Sequence, residues 1–276
     1  MKITVAIDSF KGSLSSLRAG EAVKEAALSL DENTEVFVRP VADGGEGTVE
    51  ALSVGMGGTP VTVRVAGPLF EPTSATYAIL PDGVTAVIET AAAAGITLVP
   101  KEKLYPLLTT TYGVGEMIKD AIKKGCRRFI VGIGGSATND GGVGMLTALG
   151  YDFLDEDGVT IPLSGGGLDF LVSISTERVM PELKECSFLV ACDVKNPLCG
   201  ENGCSAVYGP QKGATPEAVK FMDRGLSLYA RIAKTVSDKA DPDYPGVGAA
   251  GGLGFAFRAF LGGKLSSGLR ILHLIT

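Results

Sequence analysis

The sequence reads as an α/β protein of two units, one built on a parallel sheet and a larger, glycine-rich one built on a mixed sheet. Three observations carry this. Short apolar runs alternate with helix-period stripes, the pattern of βαβ units and a parallel sheet. Between residues 61 and 90 the alternation gives way to consecutive strand-like runs joined by a hairpin turn. Glycine supplies 38 of 276 residues, about twice the usual share, which points to many tight turns and close backbone approaches.

The elements follow in chain order. Residues 3–7 form an apolar run ahead of Asp8 and read as a buried strand. Leu14, Leu17, Ala22, Val23, Ala26, Ala27 and Leu30 make one helical face. Residues 35–39 read as the next strand and 45–56 as a second helix, with Val49, Leu52 and Met56 on one side. This βαβα start implies a parallel, twisted sheet. Residues 61–66, 73–80 and 84–90 are strand-like, with Pro81-Asp82-Gly83 as a hairpin turn. The change of pattern places a domain boundary near residues 65–68. Val114, Met117, Ile118, Ala121 and Ile122 form a helical stripe. Residues 127–133 read as a strand, followed by a glycine loop and a helix through Met145 to Leu149. Asp155-Glu156-Asp157-Gly158 is a turn, and 187–193 a buried strand. Thr215 as N-cap and Pro216 at the first helical position open a helix to about Val236. Residues 251–261 read as the last helix, and no repeat of fixed period is present.

Composition narrows the function. With 25 basic and 31 acidic residues the net charge is −6, and no basic stretch is present, so nucleic-acid binding is not expected. No signal peptide and no membrane span is expected, because the apolar runs are short. Five cysteines without a C-x-x-C pair fit reduced thiols and a cytoplasmic protein. Cys199 and Cys204 have no second ligand pair to make a zinc site. The sole histidine is His273, which argues against histidine-based triads.

Polar and glycine residues gather behind strands. Asp8-Ser9-Phe10-Lys11-Gly12-Ser13 follows the first strand and Asp43-Gly44-Gly45-Glu46-Gly47-Thr48 the second. Gly134-Gly135-Ser136-Ala137-Thr138-Asn139-Asp140-Gly141-Gly142 follows 127–133, and Asp193-Val194-Lys195-Asn196 follows 187–192. Open α/β sheets bind ligands outside the carboxyl ends of their strands. Three of these loops lead into expected helices, whose N-termini suit phosphate or carboxylate. Gln211-Lys212-Gly213 adds a lysine in a glycine setting. Carboxylates beside phosphate fit Mg²⁺, and lysines neutralise a transferring phosphoryl group. The inventory points to phosphoryl transfer, which depends on positioning and electrostatics.

Other signals have plainer readings. A lone Asp or Ser after a strand is most often a helix cap, and a lone lysine most often solvated. Glu116 and Asp120 read as surface charges on a helix, and Glu89 as either an exposed strand tip or a functional carboxylate. Gly132-Ile133-Gly134-Gly135-Ser136-Ala137 fits a dinucleotide fingerprint, but the acidic residues about twenty positions on fall in a hairpin. Residues 246–251 fit G-x-G-x-x-G without a preceding strand, and no Walker A motif is present.

Seven blocks together resemble the class I glycerate kinases: residues 8–14, 40–48, 111–116, 134–142, 192–198, 208–214 and 245–254. The resemblance implies an ATP- and Mg²⁺-dependent kinase of D-glycerate, with the site in a cleft between two α/β domains. A Rossmann-like domain would comprise 1–66 plus 262–276, and the glycine-rich domain 67–261. Family members continue well past residue 276, so the C-terminal part of the Rossmann-like domain is expected to be missing. The apolar faces this exposes would favour a homodimer.

By strand-tip position and residue type, Lys11, Ser9, Ser13 and Lys195 would bind glycerate. ATP phosphates would lie against Gly134, Gly135, Ser136, Thr138, Asn139, Asp140 and Gly141, with Lys212. Asp43, Glu46 and Asp193 would hold Mg²⁺, and Asp8 or Asp193 would orient or deprotonate the attacking hydroxyl. The product is 2- or 3-phosphoglycerate. Two other readings stay open: an NAD(P)-dependent oxidoreductase, and an impaired module that only binds phosphate or hydroxy acids.

Overall fold

The computed structural model describes residues 1–7, 10, 13–40 and 56–268. The elements are β1 (Lys2–Ile7), α1 (Ser16–Leu30), β2 (Glu35–Pro40), β3 (Thr59–Ala66), β4 (Pro72–Ile79), β5 (Thr85–Glu89), α2 (Ala91–Ala94), α3 (Tyr112–Lys123), β6 (Arg128–Gly132) and α4 (Val143–Ala148). There follow β7 (Asp152–Leu154), β8 (Ser173–Ser175), β9 (Ser187–Ala191), α5 (Cys204–Tyr208), α6 (Pro216–Ala233), α7 (Ala249–Leu261) and β10 (Lys264–Ser266).

The N-terminal unit is the expected βαβ. β1 and β2 pair in parallel from Lys2–Glu35 to Ile7–Pro40. Ser15 caps α1, its hydroxyl accepting from Arg18 N at 3.3 Å. The helix expected over 45–56 falls outside the described residues except for Met56.

The larger sheet has the order β10-β9-β6-β5-β4-β3. β3, β4 and β5 are antiparallel, while β5, β6, β9 and β10 run parallel, so the sheet is mixed as expected. Asp82 builds the β4–β5 turn. Its carboxylate accepts from Val84 N, Thr85 N and the Thr85 hydroxyl at 2.6–2.9 Å. Two strand assignments need correction. Residues 59–66, read with the first unit, pair along their whole length with β4. Residues 264–266, read as the return to that unit, pair with β9. The inward set Val61, Val63 and Val65 packs with the second core, so the pattern changes at residue 59 rather than 66.

That core sits on one sheet face. Tyr77, Ile88, Phe129, Val131, Phe188 and Val190 point into it, with Phe129 stacked on Phe188 at 4.8 Å. α3, α4 and α7 supply Met117, Met145, Leu253 and Phe257 to the same cluster. Each such side chain contributes roughly 1.5–3 kcal/mol by leaving water. The other face carries Leu80, Val87, Ile130 and Ala191. No helix among the described residues is long and apolar enough to cross a membrane.

Candidate active site

Four parallel strands end at one edge of the sheet. Glu89 on β5, Gly132 on β6, Ala191 on β9 and Ser266 on β10 are in register. Side chains alternate between faces, so Glu89 shares its face with Val87. The loops 133–142 and 192–198 therefore leave the same edge side by side. β10 is tied into it: Gly268 N donates to Asp193 Oδ1 at 3.2 Å.

The loop after β6 is anchored along its length. Ile96 N donates to Gly135 O and Ala137 N to Ala94 O, both at 2.8 Å. The Thr109 hydroxyl donates to Ala137 O at 2.9 Å. Lys212 Nζ donates to Ser136 Oγ at 3.0 Å and Thr138 O at 2.6 Å. Asn139 Nδ2 donates to Ser205 Oγ at 2.9 Å. Behind the loop, Ala250, Gly251 and Gly252 take left-handed angles in succession. Gly251 is required there: a Cβ would lie 2.1 Å from Thr138 O.

Asp140 closes the loop onto α3 and α4. Its Oδ2 accepts from Thr111 N at 2.9 Å, the Thr111 hydroxyl at 2.7 Å and Gly144 N at 3.3 Å, and Oδ1 from Gly142 N at 3.0 Å. Met145 N donates to Thr111 Oγ1 at 2.9 Å. This corrects the expectation that the helix after the loop offers free N–H groups to an anion. The first donors of α4 are already taken by Asp140 and Thr111.

Burial pushes the Asp140 carboxyl up from its ordinary value, opposed by the donors from Thr111, Gly142 and Gly144. Burial pulls the Lys212 ammonium down to about 8, with Cys204 and Asp140 pulling the other way. Three buried side-chain oxygens nearby, Thr90 Oγ1, Thr138 Oγ1 and Asn139 Oδ1, have no hydrogen-bond partner among the described residues.

The sequence-derived site residues divide into three groups. Asp8, Ser9, Lys11, Asp43 and Glu46 lie outside the described residues. Ser13 is exposed in a turn closed by its own N–H to Phe10 O at 2.8 Å. Asp193 and Lys195 are exposed at the strand-tip edge, and Gly135 is the exposed point of the glycine loop with Gly134 half-buried beside it. Ser136, Thr138, Asn139, Asp140, Gly141 and Lys212 are buried, and Ser136, Asp140 and Lys212 hydrogen-bond to the protein itself. Thr111 and Ser205 join them, though no strand-tip position marks them in the sequence; the run Thr109-Thr110-Thr111 is the one local signal. The fingerprint at 132–137 fails on context, because ten residues separate Gly132 from α4, whereas a dinucleotide fold opens its helix within the motif.

The model of the glycerate kinase family matches residues 3–276. A glycerate 2-kinase of Escherichia coli is 47% identical over 272 residues, covering 99% of this chain and 71% of the relative. A glycerate kinase of Bacillus subtilis is 46% identical with the same coverage. A crystal structure described as glycerate kinase 2 of Salmonella typhimurium superposes with a TM-score of 0.92 at 44% identity, covering 100% of this chain and 74% of that one.

Proposed function

The chain belongs to the glycerate kinase family, and from that premise we propose that it transfers the γ-phosphoryl group of ATP to a hydroxyl of D-glycerate. The observation that supports this reading is the shared strand-tip edge, where a braced glycine loop stands beside an exposed carboxylate and lysine. In the reaction the glycerate oxygen bonds to the γ-phosphorus. The bond from phosphorus to the bridging oxygen breaks, ADP leaves with that electron pair, and the hydroxyl proton passes to a carboxylate. Asp193 or Asp8 is the acceptor in this scheme.

Gly134 and Gly135 bring bare backbone to the phosphates. Lys212 acts through Ser136 and Thr138, holding the loop's shape. The unpartnered oxygens of Thr138 and Asn139 are the polar atoms that a bound nucleotide would satisfy. Lys11, Ser9, Ser13 and Lys195 bind the glycerate carboxylate.

Magnesium is commonly held by one or two carboxylates together with substrate phosphates. Among the described residues no cluster of three or more metal-binding side chains exists, so this region offers Asp193 alone, with Asp43 and Glu46 as its proposed companions. Bound there, the ion would draw charge off the phosphate oxygens.

The name of the Escherichia coli relative favours 2-phosphoglycerate as the product. A coupled ADP-release assay across small hydroxy acids, with and without Mg²⁺, tests the activity. Turnover with D-glycerate supports it, and none with any hydroxy acid refutes it. Phosphorus–proton correlation then reads whether phosphorus couples to the C2 methine or the C3 methylene.

A further inference from the structure

Beside the outermost strand of the sheet, α3 and β3 enclose a groove of about 310 Å³. Tyr112, Glu116, Lys119, Asp120 and Lys123 line it from one face of α3, at helical spacing. Val63, Arg64 and Val65 line it from β3, the outermost strand of the sheet. β4 and β5 lie between that edge and β6, a lateral offset of about 14 Å at ~4.8 Å per strand.

The charges in this groove are uneven. Asp120 is engaged by Lys124 at 2.6 Å and by the Tyr77 hydroxyl at 2.7 Å. Glu116 Oε2 accepts from Ala66 N at 2.7 Å, covering a donor on the free edge of β3. Strand geometry turns the Arg64 N–H the same way, two residues upstream. Lys119 and Lys123 form no ion pair among the described residues, and Arg64, its side chain on the sheet face away from Val63 and Val65, lends the groove its N–H. Two ammonium groups without an ion pair and the Arg64 N–H thus share one concave surface of a chain whose net charge is −6.

We propose that this groove binds a small phosphorylated carboxylic acid at a site separate from the strand-tip edge. Ammonium groups and a free backbone N–H suit phosphate and carboxylate oxygens. The volume lies at the small end of ligand pockets, suiting a three-carbon metabolite rather than a nucleotide. α3 is also the helix whose preceding residue, Thr111, holds Asp140, so an occupant would lean on the element that fastens the glycine loop. The site does not depend on which reaction the strand tips catalyse.

The test is amide NMR of the full chain with 3-phosphoglycerate as the probe, and inorganic phosphate and D-glycerate as comparators. Saturable movement of the amides of Arg64, Lys119, Asp120 and Lys123 is expected, strongest with 3-phosphoglycerate. Lys119→Gln with Lys123→Gln should weaken that response at least about tenfold, the order of one lost charge-assisted contact. Both side chains reach solvent, so the melting temperature should hold, and movement at Gly134 and Gly135 should persist. Three results would each overturn the proposal. The amides could stay still up to about 10 mM probe, a concentration that would detect even millimolar affinity. The double variant could respond like the parent. Or the groove could respond only to an acidic polypeptide, which would make it a protein-docking surface instead.

Discussion

The loop after β6 and the loop after β9 leave adjacent parallel strands at the same edge, and their surroundings are opposite. From Ser136 to Gly142 the first is buried, and donors from Thr109, Thr111 and Lys212 meet it. Asp193, Val194 and Lys195 in the second are exposed, and Asp193 is held by Gly268 N. On the proposed function the two loops would divide the labour: one provides shape, the other chemistry. Substitutions in the first should register mainly as lost stability, and in the second mainly as lost rate.

The strongest challenge to that division is Asp140→Ala. It strands the N–H groups of Thr111, Gly142 and Gly144 in a dry interior, at a cost of about 3–5 kcal/mol. Thermal unfolding should show a melting point lower by roughly 10 °C. A shift under about 2 °C would mean that the loop is not braced by this carboxylate.

Asp193→Asn is the reciprocal case. We expect kcat/KM to fall about 100-fold, near 2.7 kcal/mol of transition-state stabilisation, with the melting point unchanged. Near-normal turnover would remove Asp193 from the mechanism, and a lost fold would remove the distinction between the loops.

The third prediction concerns pH. Folded Lys212 titrates near 8 against an ordinary 10.5. Between these values the unfolded chain holds a proton that the folded chain has released, so stability rises with pH across that window, by at most about 1.4 kcal/mol per pH unit. Below 8 both states are protonated and the contribution is flat. Denaturant unfolding of the parent minus Lys212→Met, from pH 7 to 10, should show this slope. A flat difference would show that Lys212 is not held as a desolvated cation.

The smallest effect belongs outside both loops. The Thr215 hydroxyl accepts from Ala218 N at 3.2 Å at the start of α6. Thr215→Ala should cost ~1 kcal/mol and leave kcat/KM unchanged, giving a baseline for a purely structural change.

Much of the architecture was legible in the residues. The valines of β3 and the apolar run of β9 carry strand periodicity, and Val114 to Ile122 a helical stripe that became α3. The hairpin at Asp82 and the cap at Thr215 formed as their chemistry dictates. Glu116 shows the limit. Its spacing from Asp120 suggested two solvated charges, yet Glu116 covers the N–H of Ala66 and Asp120 takes the Tyr77 hydroxyl. Those partners lie 50 and 43 residues away, beyond any local pattern.

Sequence alone determined most of the longer strands and helices among the described residues and that a glycine-rich loop follows β6, because periodicity and turn chemistry act between near neighbours. Only the tertiary structure decided which polar groups in those loops face inward. Lys212 meets Ser136 across 76 residues, and Gly251 accepts from Gly141 N across more than a hundred. It also decided that β3 and β10 close the edges of one sheet. Burial and partner choice are settled when distant segments compete for the same space, and that competition leaves no mark on the order of the letters.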